Sequence, residues 1–315
     1  MKLLEIFGER IKKNEPLNRH TTYRLGGPAD FYFEAKSPEE AAAALGAAKE
    51  GGLPAFALGG GSNVLVSDAG FRGLVIAYAA RKTEIRGSRL AADAGAILFA
   101  AVRSSADAGL AGLEWAAGIP GTVGGAIRGN AGAYGGEIKD VLESVDALNF
   151  ETGERRNFAG DECGFGYRES RFKRERWFLL GATFALSPGD KAELLAKIKE
   201  TVVLRVSKQP LEFGSAGSVF KSLVIADGVP ASIKGDVPQK YVDFGRIPAA
   251  WLIERAGLKG RRIGEAMISE KHANYFVNTG KASAAEVREL IAYAKMEIRK
   301  AFGIELVEEI EYVGF

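Results

Sequence analysis

Cysteine occurs once in the 315 residues, at Cys163, and histidine twice, at His20 and His272. A single thiol excludes an intramolecular disulfide and a cysteine-based metal cluster, and two imidazoles leave little with which to build a histidine zinc site. No metal is therefore expected. An excess of one charge is also missing, since 42 Lys and Arg stand against 40 Asp and Glu for a net charge of +2. Without a basic surplus the chain has no means of neutralising a nucleic-acid backbone or an anionic membrane surface, so neither is an expected partner. The longest apolar runs, such as Ala94 to Val102, fall well short of the ~20 residues that cross a bilayer. Met1 to Pro16 mixes charges and lacks the uninterrupted apolar core of a signal peptide. Together these absences point to a reducing, cytoplasmic setting.

What is abundant is glycine, 40 residues of 315, against a usual ~7%. Apolar residues at 47% and charged residues at 26% are those of a globular chain, and the length suits two or three domains. Leu3, Ile6, Phe7 and Ile11 share a helical face and predict a short helix closed by Asn14-Glu15-Pro16. Asp30 to Glu34 reads as a strand. Ser37-Pro38-Glu39-Glu40 starts a helix that Gly51-Gly52 ends. Pro54 to Leu58, Val64 to Val66 and Leu74 to Ile76 read as strands, which makes this first part a small α/β unit. Ala96 to Asp107 predicts a helix; ten glycines between Gly109 and Gly136 exclude one of ordinary length there. Val145 to Phe150, a turn at Glu151 to Glu154, and Trp177 to Leu186 read as β structure. Ser187 to Asp190 reads as a boundary, followed by an amphipathic helix over Lys191 to Val206. Ser283 and Glu286 form a capping box for a last helix, Gly303 stops it, and Ile304 to Val313 predicts a terminal strand.

Two glycine-rich segments carry the chemistry. In Gly59-Gly60-Gly61-Ser62-Asn63, glycine lets backbone approach a ligand, and consecutive N–H groups can form an anion nest. Val64 replaces the third glycine of the Rossmann fingerprint, and no P-loop pattern occurs. The second segment is Gly118-Ile119-Pro120-Gly121-Thr122-Val123-Gly124-Gly125-Ala126, continued by Asn130-Ala131-Gly132-Ala133-Tyr134-Gly135-Gly136. A flexible linker would be serine-rich and would lack Ile119, Val123 and Ile127. Two such stretches suit an extended ligand with a diphosphate in its middle.

Six ordered segments resemble the UDP-N-acetylenolpyruvoylglucosamine reductase family in its shorter form. These are Thr21 to Ala29, Gly59 to Asn63, Gly118 to Gly136, Gly166-Tyr167-Arg168-Glu169-Ser170-Arg171-Phe172-Lys173, Ser215 to Lys221, and Ser269 to Asn274. The resemblance implies an α+β fold: a two-lobed FAD-binding domain of the vanillyl-alcohol-oxidase (PCMH) type and a smaller α+β substrate domain. The corresponding division is a lead-in over 1–20, the FAD domain over 21–188 with subdomains about 21–82 and 83–188, and the substrate domain over 189–315. It further implies non-covalent FAD, NADPH as hydride donor, and reduction of an enolpyruvyl ether on a UDP-sugar to UDP-N-acetylmuramate for peptidoglycan. A monomer is expected.

Carried onto matching positions, the resemblance makes Arg168, Ser218 and Glu309 catalytic. A guanidinium at Arg168 would grip the substrate carboxylate, Ser218 would deliver a proton to C2, and Glu309 would be the positioned acid. Strict alternation puts Glu308 rather than Glu309 in register with Leu306 and Ile310, so Glu308 stands as the alternative. Cofactor contacts are expected from Gly59, Gly60, Gly61, Ser62, Asn63, Gly118, Ile119, Pro120, Gly121, Thr122, Gly124, Gly125, Ala126, Asn130, Gly132, Ala133 and Tyr134. Substrate contacts are expected from Tyr167, Arg205, Lys208, Lys221 and Asn274, with His272 as a structural hydrogen-bonder. Val224 to Arg246 is longer than the family pattern. Two rivals are a flavin oxidase of the same fold acting on another substrate, and an inactive nucleotide-sugar-binding protein.

Overall fold

A computed structural model describes residues 2–226 and 228–315. The chain packs into two compact units. One contains the N-terminal segment to Glu15, Ala29–Gly60 and Phe71–Ser207; the other contains Pro16–Pro28, Gly61–Gly70 and Lys208–Phe315. This division differs from a boundary near 188, because the helix Lys191–Lys208 buries Leu194 and Ile198 in the core of the first unit.

Among the described residues the first unit holds two large sheets and two two-stranded ladders. In one, the strands run in the order Lys12–Pro16, Pro28–Ala35, Phe71–Tyr78, Ala55–Leu58, and the last three are parallel. The helix Pro38–Glu50 buries Ala41, Ala44 and Leu45 in the same core as Phe33, Leu74 and Ile76. It starts where expected, with Ser37 Oγ accepting from the Glu40 N–H at 3.3 Å. The first helix is shorter than predicted, Lys2–Phe7. Gly8 turns into the left-handed region at φ +54, and Asn14-Glu15-Pro16 belongs to a strand instead of closing a helix.

The second sheet is antiparallel, in the order Arg155–Ala159, Leu142–Asn149, Trp177–Ala185, Arg89–Asp93, Thr83–Arg86. Its two faces enter different cores. Leu148, Phe178 and Leu180 join Phe33 and Ile76, while Val145, Ala147 and Phe184 join the helix Leu98–Asp107. A register shift opposite Asp146 and Ala147 inserts Leu180 into the strand Trp177–Ala185, so that Leu180 and Ala182, two residues apart, enter different cores.

The second unit has a three-stranded antiparallel sheet, Arg262–Ile263, Ala266–Ile268 and Phe276–Asn278, against the helix Ala284–Phe302. That helix carries the predicted Ser283–Glu286 capping box and ends at Gly303, φ +67. Asp68 adds a second cap, accepting from the Ala284 and Ala285 N–H groups at 2.8 and 3.0 Å. The predicted terminal strand shrinks to Glu311–Val313, which pairs in parallel with Val64–Val66. Upstream of it only Glu308 bridges, to Phe220. The long segment after Lys221 leaves and returns through a ladder of Leu223–Val224 with Arg246–Ile247, and buries Ile233 in the core. Parallel and antiparallel sheets with segregated helices make the fold α+β. Among the described residues no helix is long and apolar enough to cross a membrane.

Candidate active site

In the first unit the two glycine-rich loops press on each other backbone to backbone. A Cβ on Gly60 would lie 2.7 Å from Gly121 Cα, and one on Gly59 would lie 2.9 Å from Thr122 Oγ1. Glycine is required because a side chain would force the loops apart. Thr122 caps the short helix Val123–Arg128, its Oγ1 accepting from the Gly125 N–H at 3.3 Å. Val123 and Ile127 are fully buried and anchor the turn, while Gly125 stays exposed.

A cavity of about 210 Å³ opens beside these loops. Gly59, Gly95 and Gly125 supply bare backbone on one side, Tyr78 and Trp177 supply rings, and Lys173 and Arg176 supply positive charge. Bare N–H groups with cations suit a diphosphate, and flat rings suit an aromatic heterocycle. The residues present therefore fit part of a flavin dinucleotide. Cys163 offers no tether: burial pushes its thiol up to about 11.

Gly132–Ala133 and Gly136–Glu137 form a tight hairpin with Tyr134 exposed at its tip, φ +52. Gly136 is needed there, since its Cβ would meet Trp115 at 2.4 Å. Arg168 reaches this hairpin. Gly166 and Glu169 exchange backbone hydrogen bonds of 3.0 and 3.2 Å, which leaves Tyr167 and Arg168 at the corner of a turn. Arg168 sits at φ +56, a conformation uncommon outside glycine. Its Nη2 donates to the Gly132 carbonyl at 2.7 Å, its guanidinium lies 5.3 Å from the Tyr167 ring centre, and Lys173 Nζ donates to its carbonyl at 2.9 Å.

In the second unit the Ser218 turn, Lys221, Asn274 and Glu309 come together. Gly217 takes φ +76, and Ser218 bridges to Tyr275. The Glu309 N–H donates to the carbonyl of Val219 at 2.7 Å, and the Lys221 N–H donates to Val307 at 2.8 Å. Asn63 Nδ2 donates to the Glu309 carbonyl at 3.1 Å, and the Glu311 N–H returns to the Asn63 carbonyl at 2.9 Å. Glu308 faces the last helix, where Lys295 Nζ donates to both its carboxylate oxygens at 2.9 and 3.1 Å.

Several of the expected contact residues also hold scaffold hydrogen bonds. Asn130, fully buried, donates to Glu137 and to the Gly166 carbonyl and accepts from the Lys139 N–H, which joins the hairpin to the Arg168 turn. Asn274 holds Phe220 by both backbone groups, at 3.0 and 2.8 Å. Arg205 belongs to the first unit and donates through Nε to the Gly118 carbonyl at 3.0 Å. Ile119 packs against the core, and Pro120 and Lys208 are exposed. Gly61, Ser62 and Asn63 fall in the second unit, unlike Gly59 and Gly60. The Thr22 N–H donates to the Gly61 carbonyl at 3.0 Å. His272 Nδ1 accepts from the Asn274 N–H at 3.3 Å and burial lowers its pKa, as suits a structural role. Sequence reasoning missed Gly95, whose Cβ would lie 2.1 Å from the Tyr78 carbonyl. The small-residue run Ala94-Gly95-Ala96 after a strand was the available signal.

Residues 209–313 match the family described as UDP-N-acetylenolpyruvoylglucosamine reductase, C-terminal domain, and residues 29–159 match the FAD binding domain family. A UDP-N-acetylenolpyruvoylglucosamine reductase of Carboxydothermus hydrogenoformans is 45% identical over 99% of this chain and 98% of its own. That of Solibacter usitatus is 40% identical over 100% of both. The crystal structure of UDP-N-acetylenolpyruvylglucosamine reductase from Thermus caldophilus superimposes with a TM-score of 0.77 at 33% identity, covering 96% of this chain and 99% of that one.

Proposed function

The chain belongs to the UDP-N-acetylenolpyruvoylglucosamine reductase family, and on that premise we propose that NADPH is its hydride donor and that Arg168, Ser218 and Glu309 carry its chemistry. The activity is FAD-dependent reduction of UDP-N-acetylenolpyruvoylglucosamine in peptidoglycan precursor synthesis. The flavin is assigned to the first unit and the UDP-sugar to the second, in a cytoplasmic monomer whose product supports cell-wall growth, cell shape and division.

When bound beside Gly59, Gly125 and Lys173, FAD would supply two-electron hydride chemistry, with NADPH as the source and C3 of the enolpyruvyl group as the acceptor. Residues of this chain manage the charge and the proton. As C3 gains hydride, negative charge grows on C2 and on the attached carboxylate. The Arg168 guanidinium fits a carboxylate as a fork. Its backbone is fixed in a turn and its Nη2 on Gly132, so little reorganisation accompanies its action. Ser218 Oγ delivers the proton to C2, and Glu309 is the acid that stabilises the developing charge.

The observation that carries this reading is the 2.7 Å hydrogen bond from the Glu309 N–H to Val219, the residue after Ser218. It joins the proposed proton donor and acid through one backbone contact. Glu309 is favoured over Glu308 because Lys295 already engages both carboxylate oxygens of Glu308.

The test is Ser218→Ala followed by stopped flow. Bleaching of the flavin by NADPH should keep its normal rate, while reoxidation by the enolpyruvyl substrate should slow by roughly 10²-fold or more, the usual worth of general-acid help. Equal slowing of both phases would make Ser218 a shaping residue, and no slowing would remove it from the mechanism.

A further inference from the structure

Glu309 sits in a stretch with little regular structure. Between Gly303, which ends the last helix, and Glu311, which starts the final strand, the only ladder contact is the single bridge of Glu308 to Phe220. Ile304, Leu306 and Ile310 are nonetheless buried in the core of this unit. Its backbone is tied at three points: the Lys221 N–H donates to Val307, the Glu309 N–H donates to Val219, and Asn63 Nδ2 donates to the Glu309 carbonyl. These ties set the backbone pairing; the Glu308 side chain is held by a further contact of its own.

The side-chain restraint comes from elsewhere. Lys295, on the helix Ala284–Phe302, donates to both carboxylate oxygens of Glu308 at 2.9 and 3.1 Å. Both side chains are mostly shielded, 32% and 25% exposed. The helix itself is rigidly placed. Ile291, Ala294 and Ile298 flank Lys295 in sequence and are buried in the core of the same unit, and the helix N-terminus is capped twice, by Ser283 and by Asp68. The ion pair thus anchors the segment to a fixed wall one residue before Glu309. In an extended stretch neighbouring side chains leave on opposite sides. Holding Glu308 against the helix therefore holds Glu309 away from it.

We propose that Lys295 is a positioning residue for the reductase reaction: through Glu308 it adds a side-chain anchor to the backbone ties of the 304–310 segment and so steadies the presentation of the Glu309 carboxylate. This rests on the reading of Glu309 as the acid. Lys295 itself touches neither substrate nor flavin in this account, so its loss affects only the step in which Glu309 acts.

The experiment uses the FAD-loaded full chain and compares Lys295→Ala, Lys295→Arg, Glu309→Gln and the double variant Lys295→Ala/Glu309→Gln. A partly shielded pair is worth about a kcal/mol, so reoxidation by the enolpyruvyl substrate should slow about fivefold in Lys295→Ala. Flavin bleaching by NADPH should be unchanged, and KM for the UDP-sugar should stay within twofold (roughly 0.4 kcal/mol). Arginine keeps a bidentate grip, so Lys295→Arg should restore most of the rate. In the Glu309→Gln background, Lys295→Ala should add nothing, because residues acting through one another are not additive. A second variant, Glu308→Gln, cuts the pair from its other end and should reproduce Lys295→Ala if the latter folds poorly.

Three results overturn the proposal. Wild-type reoxidation in Lys295→Ala and Glu308→Gln, with a slow Glu309→Gln, leaves Glu309 as the acid and removes Lys295 from its positioning. Equal slowing of both half-reactions together with a lower melting temperature makes Lys295 a stability residue alone. A Glu309→Gln variant that reoxidises at full rate fails the underlying assignment and the proposal with it.

Discussion

Replacing Gly60 with alanine tests whether the two glycine-rich loops build the flavin cradle. Gly60 is not in the left-handed region, so alanine adds no backbone strain and the effect is steric. The new Cβ would stand 2.7 Å from Gly121 Cα and 3.3 Å from its carbonyl carbon. Ordinary carbon contacts are about 3.5–4.0 Å, so one loop has to retreat by about 1 Å. Both obstacles are backbone, and Thr122, next to Gly121, is the cap of the turn that carries Gly124 and Gly125. Overpacking of this kind costs about 1–3 kcal/mol, which is a loss of roughly 5- to 150-fold in affinity if it falls on the bound form. FAD titrated into apoprotein and followed by flavin fluorescence should show that loss. Gly46→Ala is the control: it lies in the helix Pro38–Glu50, where a Cβ meets nothing within 4 Å. There alanine should stabilise by about 0.5–1 kcal/mol and leave FAD affinity alone. A Gly60→Ala protein that binds FAD as tightly as the parent would refute the cradle.

Tyr23 is fully buried, and among the described residues its hydroxyl is the one buried side-chain polar atom without a hydrogen-bond partner. Tyr23→Phe should therefore raise stability by up to about 1 kcal/mol, read from the urea midpoint; a loss of that size would mean the hydroxyl binds something. The Arg10 guanidinium hydrogen-bonds Glu40 at 2.7 and 2.8 Å and holds its carboxyl down at about 2. A depressed folded-state pKa stabilises above the unfolded value of about 4.3 and loses that contribution as pH falls through the folded value. Arg10→Gln should accordingly melt slightly lower than the parent at neutral pH, with the gap closing between about pH 4 and pH 2. A gap independent of pH would assign Arg10's effect to its stacking on Phe33 at 5.0 Å.

Features written in local sequence were legible. Ser37 and Ser283 announced their helices because capping is a three-residue pattern, and both caps form. Aromatic and β-branched runs bounded by glycine and proline marked strands such as Pro28–Ala35, Phe71–Tyr78 and Trp177–Ala185, while Thr83–Arg86, Arg89–Asp93, Arg155–Ala159, Ala266–Ile268 and Phe276–Asn278 went unread. Alternation buried Leu306 and Ile310 as the pattern said, although 304–310 is not a regular strand. It puts Glu308 in their register without naming which glutamate is the acid. The contact of Lys295 with Glu308, thirteen positions apart, favours Glu309, and no helical or strand spacing announces it. Arg205 and Asn274, expected as ligand contacts, also hold backbone groups, because polar side chains beside a motif suit either a ligand or a backbone carbonyl. Only the fold shows Gly118 and Phe220 within their reach. The boundary after Ser207 was hidden because amphipathicity reveals that a helix buries a face and is silent about which core receives it.

The most direct test of the central claim is an anaerobic two-step titration. The FAD-loaded protein is bleached with one equivalent of NADPH and then mixed with UDP-N-acetylenolpyruvoylglucosamine in the absence of oxygen. The account predicts return of the yellow absorbance and formation of UDP-N-acetylmuramate in equal amount, with deuterium at C3 when the flavin has been reduced by NADPH deuterated at the transferred position. A flavin that stays bleached until oxygen is admitted, with the enolpyruvyl sugar unchanged, would contradict it.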